Sequence, residues 1–421
     1  MKSITLQHEA PTVRGDRDFL GFKPISKAIA RRILDCQAPM SFAVTGSWGS
    51  GKTSMLRLIE EELRSNGDVQ SVFFDAWKFR NTPSLLYALL YTIYDDFKVS
   101  KNEFSKSGIG QKVLGLGLGV AASVAKNALK VDVDEVAKKI ESLSQNISSA
   151  FDEEIKQAAT LHTDVERSIC NLLAKEGKKR LVVFVDDLDR CPVLDALSLL
   201  EEMTIHFSLK QTVIVYGISL EAIQVGIEKK YGLDKRHVQG YLDKLVQFEY
   251  EIKPVTGTEQ LVDEYLKAAL GASNLEEIEA VDRLCGQCVG EAMRAQSVSN
   301  PRLLKKVIGK LLVATSMEGF DRGNEMDIKI LADLMVCKAA LPTFYRMITD
   351  RPRLLIDLTN FVGKGKQDRA GAAISSDLGG LEAAEATGVL QGFISHLIKG
   401  GKIGVYQPDG EAKLRKLASL A

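Results

Sequence analysis

Gly46-Ser47-Trp48-Gly49-Ser50-Gly51-Lys52-Thr53 stands between a short apolar run, Ser41 to Val44, and a segment with Met55, Leu56, Ile59 and Leu63 at helical spacing. The octet fits Gly-x-x-x-x-Gly-Lys-Thr without a mismatch, in the strand-before, helix-after context that gives the pattern its meaning. Glycines let the backbone wrap so that its N–H groups face an anion, and the following helix presents its positive end to the same place. On this reading Gly46, Ser47, Trp48, Gly49, Ser50, Gly51 and the adjoining Ser54 line a phosphate cradle. Lys52 reaches β- and γ-phosphates, and Thr53 offers its hydroxyl to Mg²⁺. Trp48 either covers the phosphates or packs on a neighbour, with packing preferred.

Working outward, Ser71 to Asp75 reads as a second strand and Leu85 to Phe97 as an apolar helix. Leu181 to Val185 is apolar throughout, the mark of a strand covered on both faces, and ends in Asp186-Asp187-Leu188-Asp189-Arg190. A carboxylate at the tip of such a strand is costly unless a cation or donor compensates it. Asp186 is therefore expected to hold the metal, and Asp187 either polarises an attacking water or caps the next helix. Asp189 and Arg190 are read as a salt-bridged pair or a contact to a neighbouring subunit. Thr212 to Gly217 and Gln247 to Ile252 predict two further buried strands. Apolar strands alternating with helices indicate a parallel sheet in an α/β domain.

About 130 residues separate Thr53 from Asp186, with the Ser71–Asp75 strand between them in sequence. That suits an additional-strand P-loop ATPase core better than a kinase or a Ras-like GTPase. No Asn-Lys-x-Asp stands at a plausible loop, so ATP is expected rather than GTP.

The organisation expected is a core in two parts, 1–97 and 165–254, interrupted by a helical insertion at 98–164 and followed by a mainly α-helical lid and C-terminal region, 255–421, with a small hairpin near Gly404 to Gln407. The insertion carries a Gly-rich apolar run, Val113 to Ala125, of thirteen residues. A spanning helix needs about 20. Lys plus Arg and Asp plus Glu are 55 each, a neutral balance that argues against a non-specific nucleic-acid binder. The six cysteines are scattered, and Cys285 and Cys288 lack a second ligand pair for zinc. With no apolar signal segment at the start, a reduced, cytoplasmic setting is expected.

Five stretches together resemble the KAP family of P-loop NTPases, over roughly residues 14–345: Asp18-Phe19-Leu20-Gly21-Phe22, the phosphate loop with its Trp-Gly, Phe73-Phe74-Asp75-Ala76-Trp77-Lys78-Phe79, Val185-Asp186-Asp187-Leu188-Asp189-Arg190-Cys191, and Ser299-Asn300-Pro301-Arg302-Leu303-Leu304-Lys305. The resemblance implies ATPases with an α-helical lid and assembly into oligomers. Many members carry membrane helices between the two nucleotide motifs, and bacterial members resemble defence and phage-exclusion proteins. Two departures stand out. Ser219 follows the fourth strand where the family usually has an acidic residue, which leaves it as a sensor candidate of altered chemistry, and the 98–164 insertion looks like a reduced or soluble version, with membrane contact through 108–130 as the other reading. Arg302 either reaches the γ-phosphate or pairs at the start of its helix. Arg236 is a weaker finger candidate, and Phe22 is a candidate to stack on adenine.

The expectation is thus an ATP- and Mg²⁺-dependent switch or assembly subunit of defence type, acting as a homo-oligomer or with a partner protein. The alternatives are an ATP-binding scaffold with little turnover, a DNA-associated motor or loader, and a membrane-acting effector.

Overall fold

A computed structural model describes residues 18, 20–82, 84–100, 104, 105, 107, 109, 160–233, 235–253, 258–296, 298, 300–351, 396 and 410–421. Most of the 98–164 insertion, including nearly all of 108–130, and the Gly404–Gln407 hairpin lie outside the described residues. Two compact units result: the described residues up to Ile252 form one, those from Lys253 onward the other.

The first unit is built on five parallel strands: β1 (Met40–Thr45), β2 (Val69–Asp75), β3 (Arg180–Asp186), β4 (Thr212–Ile218) and β5 (Phe248–Glu251), in the spatial order β2-β3-β4-β1-β5. Alternate residues feed two separate cores. Phe42, Val44, Val182, Phe184, Val213 and Val215 face one side, where α1 (Lys23–Asp35) and α2 (Lys52–Arg64) lie. Ala43, Val183, Val185, Ile214, Tyr216 and Ile218 face the other. There they meet α3 (Leu85–Asp96), α4 (160–175 among the described residues), α5 (Val193–His206), α6 (Leu220–Tyr231) and α7 (Lys235–Leu245). Both faces of the central strands are covered, which is why β3 and β4 read as uninterrupted apolar runs.

The strand standing between β1 and β3 in space is β4, the additional strand of the expected fold class, and Ser71–Asp75 lies in β2 at the sheet edge. One expectation is corrected. The last strand is not buried: β5 is an edge strand of sequence Phe-Glu-Tyr-Glu, and three of its four residues are exposed. Its glutamates suit a half-solvated edge, and Glu249 accepts a hydrogen bond from the Thr45 hydroxyl at 2.7 Å.

The second unit is helical: α8 (Thr258–Leu270), α9 (Ala280–Ala295), α10 (Pro301–Thr315), α11 (Glu325–Ala340), α12 (Pro342–Asp350) and α13 (Gly410–Leu420). α9 packs on α8, α10 and α11. Cys285 and Cys288 are buried on α9, as the helical reading of that pair requires. Among the described residues no helix is long and apolar enough to cross a membrane.

Candidate functional site: the phosphate loop and the acidic turn

Parallel strands place all their C-terminal ends on one side of the sheet, where ligands of open α/β folds bind. Here β1 ends in the phosphate loop and β3 in the acidic run. Gly46, Gly49 and Gly51 have φ of 153°, 87° and 105°, all where L side chains are strained. At Gly51 space matters as well: a Cβ would come within 2.8 Å of Phe22 Cε2 and 2.9 Å of Leu20 Cδ1. The segment before α1 thus braces the loop from below. Asp18 fixes that segment by accepting from the backbone N–H of Phe22 at 2.9 Å and of Lys23 at 2.6 Å. Phe22 is only 5% exposed. Its ring packs in the core beneath Gly51.

Trp48 is placed differently from the packed position preferred above. It is 67% exposed at the tip of the loop, with the Arg190 guanidinium carbon 5.8 Å from its ring centroid. Ser47 is exposed, Ser54 half-buried, and Ser50 buried with its hydroxyl lacking a hydrogen-bond partner. An orphaned hydroxyl inside a ring of glycines is what a phosphate oxygen satisfies.

Lys52 opens α2 and is nearly buried. Its ammonium donates to the carbonyls of Gly46 (2.9 Å) and Ser47 (3.3 Å) and lies 3.2 Å from Asp189 Oδ2. The Thr53 hydroxyl stands beside the Asp186 carboxylate and favours its ionised form. Asp186 is 3% exposed. Its pKa is pushed up to about 6, first by burial and then by Asp187 and Asp189 nearby, with the Thr53 hydrogen bond opposing. Loss of solvation raises an isolated carboxylate in this way, and a cation at the same place reverses it. A hydroxyl and a carboxylate in contact are the hard-oxygen pair Mg²⁺ takes, with phosphate and water filling the other positions. The residues present therefore fit a magnesium–polyphosphate group.

β4 lies between β3 and β1, the strand that leads into the loop, and Asp186 crosses it at Gly217, where a Cβ would stand 2.8 Å from Asp186 Oδ1 and 2.6 Å from Leu56 Cδ1. Glycine in a strand marks such close approaches, but only the register reveals what approaches.

After Asp186 the chain turns sharply. Asp187 has φ 55° and ψ 26°, a left-handed conformation that costs about 1 kcal/mol or more outside glycine. It starts the 3₁₀ turn Leu188–Arg190, yet its side chain makes no capping bond there. Its carboxylate instead lies 2.9 Å from Arg190 Nε. The pairing expected between Asp189 and Arg190 is therefore corrected: Arg190 goes to Asp187, and Asp189 goes to Lys52. Ser219 starts α6 at the end of β4 with no side-chain capping bond. Asp75 faces Asp186 across the β2–β3 register and caps its own turn through Lys78 N–H at 3.3 Å. In the helical unit, Asn300 accepts from the N–H groups of Arg302 (3.0 Å) and Leu303 (3.1 Å), so the Asn-Pro-Arg element is at least a helix cap. The Arg236 side chain lies outside the described residues.

A wrapped glycine loop at a helix start, a lysine at its end, and a threonine of that helix beside an aspartate at the tip of β3 define a nucleotide-binding P-loop NTPase domain. The pattern described as the KAP family P-loop domain matches residues 22–317. The chain belongs to that family. An uncharacterized protein of Methanocaldococcus jannaschii, MJ0182, is 28% identical over 162 residues, covering 32% of this chain and 83% of that relative. Among solved structures, the Aeropyrum pernix ORC2 protein in its ADPNP-ADP complexes aligns over 98% of this chain and 88% of its own, with 12% identity and a TM-score of 0.38, a level at which the likeness carries no argument.

Proposed function

We propose that this protein is a Mg²⁺-dependent ATPase whose turnover drives a conformational switch. The observation carrying the proposal is the Thr53–Asp186 pair set beside the Lys52 ammonium at the mouth of the glycine loop. In this reading the loop N–H groups and the Ser50 hydroxyl bind phosphate oxygens, and Lys52 orients the β,γ-phosphates. Thr53 and Asp186 would hold Mg²⁺, which when bound supplies charge neutralisation to the phosphates. Asp187, one residue beyond, orients the attacking water and takes up its proton. Its strained backbone and its ion pair with Arg190 are consistent with a carboxylate whose position is set by its turn. Ser219 is retained as a hydroxyl sensor at the end of β4, and Arg302 as the arginine that answers the γ-phosphate. ATP is preferred to GTP because no guanine-reading motif is present. Assembly as an oligomer or with a partner protein, and a defence role, rest on the family resemblance. Lower plating of phage on cells carrying the gene, lost with Lys52→Ala, would support the defence role.

The test is steady-state ATP hydrolysis by the purified chain against Asp187→Asn. The reading predicts turnover in the wild type, and in Asp187→Asn a fall of about 10²-fold or more with ATP binding retained. Full turnover in Asp187→Asn would remove it from the base role. Binding without turnover in the wild type, alone and with candidate partners, would favour a scaffold, a reading to which Ser219 in place of a carboxylate lends some support.

A further inference from the structure

We propose that Asp189 competes with the nucleotide's β,γ-phosphates for Lys52, so that capture of the lysine by phosphate releases the turn that carries Asp187. The inference rests on the nucleotide reading above and adds a positioning residue to it. An ammonium has three N–H bonds. Lys52 donates to Gly46 O at 2.9 Å and Ser47 O at 3.3 Å, and Asp189 Oδ2 stands 3.2 Å from the ammonium as its ion-pair partner. A phosphate anion arriving at the same ammonium competes for its charge and its remaining N–H with the partner already beside it. The two carbonyls belong to the loop that wraps the phosphates. Asp189 is the only charged acceptor of the three, and replacing it exchanges one anion for another at the same cation.

Both partners are largely withdrawn from water, Lys52 at 8% and Asp189 at 12% exposure, so the attraction is only partly screened. The displaced carboxylate is not isolated mechanically. Asp189 sits in the three-residue turn Leu188–Arg190, which begins at the left-handed Asp187 and whose Arg190 binds back to Asp187. The middle of the turn is thus tied to the phosphate loop through Lys52 and its last residue to the proposed water-orienting carboxylate. Freeing Asp189 frees the turn, and loss of the phosphates lets Asp189 retake the lysine.

The experiment uses the full chain and Asp189→Asn. Calorimetric titration with Mg-ATP, Mg-ADP and AMP should show ATP and ADP bound about tenfold tighter by the variant, with AMP affinity unchanged, because AMP brings no phosphate to the lysine. Equal or weaker binding of ATP by the variant overturns the proposal. A second readout needs no nucleotide: Lys52 acylation by an amine-reactive ester, followed by mass spectrometry, should be severalfold faster in Asp189→Asn, and an unchanged rate also overturns it. If the wild type fails to bind Mg-ATP, the nucleotide reading falls while the labelling rates still decide whether Asp189 holds the lysine. Asp189→Ser serves the same tests should Asp189→Asn not fold.

Discussion

The strand-built unit and the helical unit bury polar groups in different ways. In the helical unit several buried polar side chains reach protein partners, although Gln296 Oε1 and Arg322 Nε lack a hydrogen bond. Asp333 meets His396 at 2.8 Å, Gln296 donates to the Asp333 carbonyl at 3.3 Å, and the Thr315 hydroxyl donates to the Leu311 carbonyl at 3.0 Å. In the strand-built unit the buried polar groups at the sheet end are left exchangeable: Ser50 has no partner, Asp186 is pushed towards neutrality, and Lys52 is held by a carboxylate. Strain follows the same division. Among the described residues, the two non-glycine residues at positive φ, Lys98 and Asp187, both belong to the strand-built unit, and Asp187 is in the acidic turn. What sets the sheet end apart is that an unpartnered hydroxyl, a destabilised carboxylate and a charge-paired lysine gather at one place.

That contrast is broken or sharpened by substitution. The largest effect should come from Lys52→Ala, which is expected to cut ATP turnover by about 10³-fold or more in a steady-state assay while leaving the fold intact by circular dichroism. Gly217→Val should come next. Its side chain enters the space between Leu56 and Asp186, so Mg²⁺-dependent nucleotide binding should be lost, with destabilisation of about 1–3 kcal/mol in urea unfolding. In the helical unit, Asp333→Ala leaves His396 without its partner and should cost about 2–3 kcal/mol of stability, with nucleotide affinity per folded molecule unchanged. A large loss of affinity there would break the division between the two units.

Asp186 supplies the pH test. Its folded pKa, about 6, lies above the ordinary 3.8, so the folded state binds the proton more tightly than the unfolded one. Its contribution to stability is complete below about 3.8 and is lost as pH rises through about 6. In the absence of added nucleotide and metal, Asp186→Asn should therefore gain stability relative to the wild type between pH 5 and 7.5, by up to about 3 kcal/mol, read from thermal midpoints. Affinity for Mg-ATP should run the other way and weaken in the wild type below pH 6, where the carboxylate is protonated. The smallest effect expected is that of Asn300→Ala, about 1 kcal/mol from the lost cap of α10.

The phosphate loop was legible because its chemistry is a constraint on neighbouring residues, glycines and a lysine at fixed offsets at a helix start. The strands β3 and β4 were legible because burial on both faces leaves no polar alternation. What the sequence withheld depends on pairing between distant segments. Nothing in the run Thr212 to Gly217 says that it separates β1 from β3, or that Gly217 gives passage to Asp186. Lys52 and Asp189 carry no mutual signal, and Arg190 had an adjacent acid, Asp189, that made the wrong pairing the simpler one. The packing of Phe22 is hidden for a similar reason: only the missing Cβ of Gly51 shows that the ring fills the space beneath. Gln247 to Ile252 was read as buried although its glutamates, Glu249 and Glu251, already marked an edge.

The most direct measurement is an equilibrium titration of the wild-type chain with Mg-ATP, followed through the fluorescence of Trp48 at the loop tip. The structure predicts a saturable change, absent in Lys52→Ala and lost when Mg²⁺ is withheld from Asp186→Asn. A folded wild-type chain that calorimetry also finds not to bind Mg-ATP would contradict the claim that the open polar groups at the sheet end form a nucleotide site.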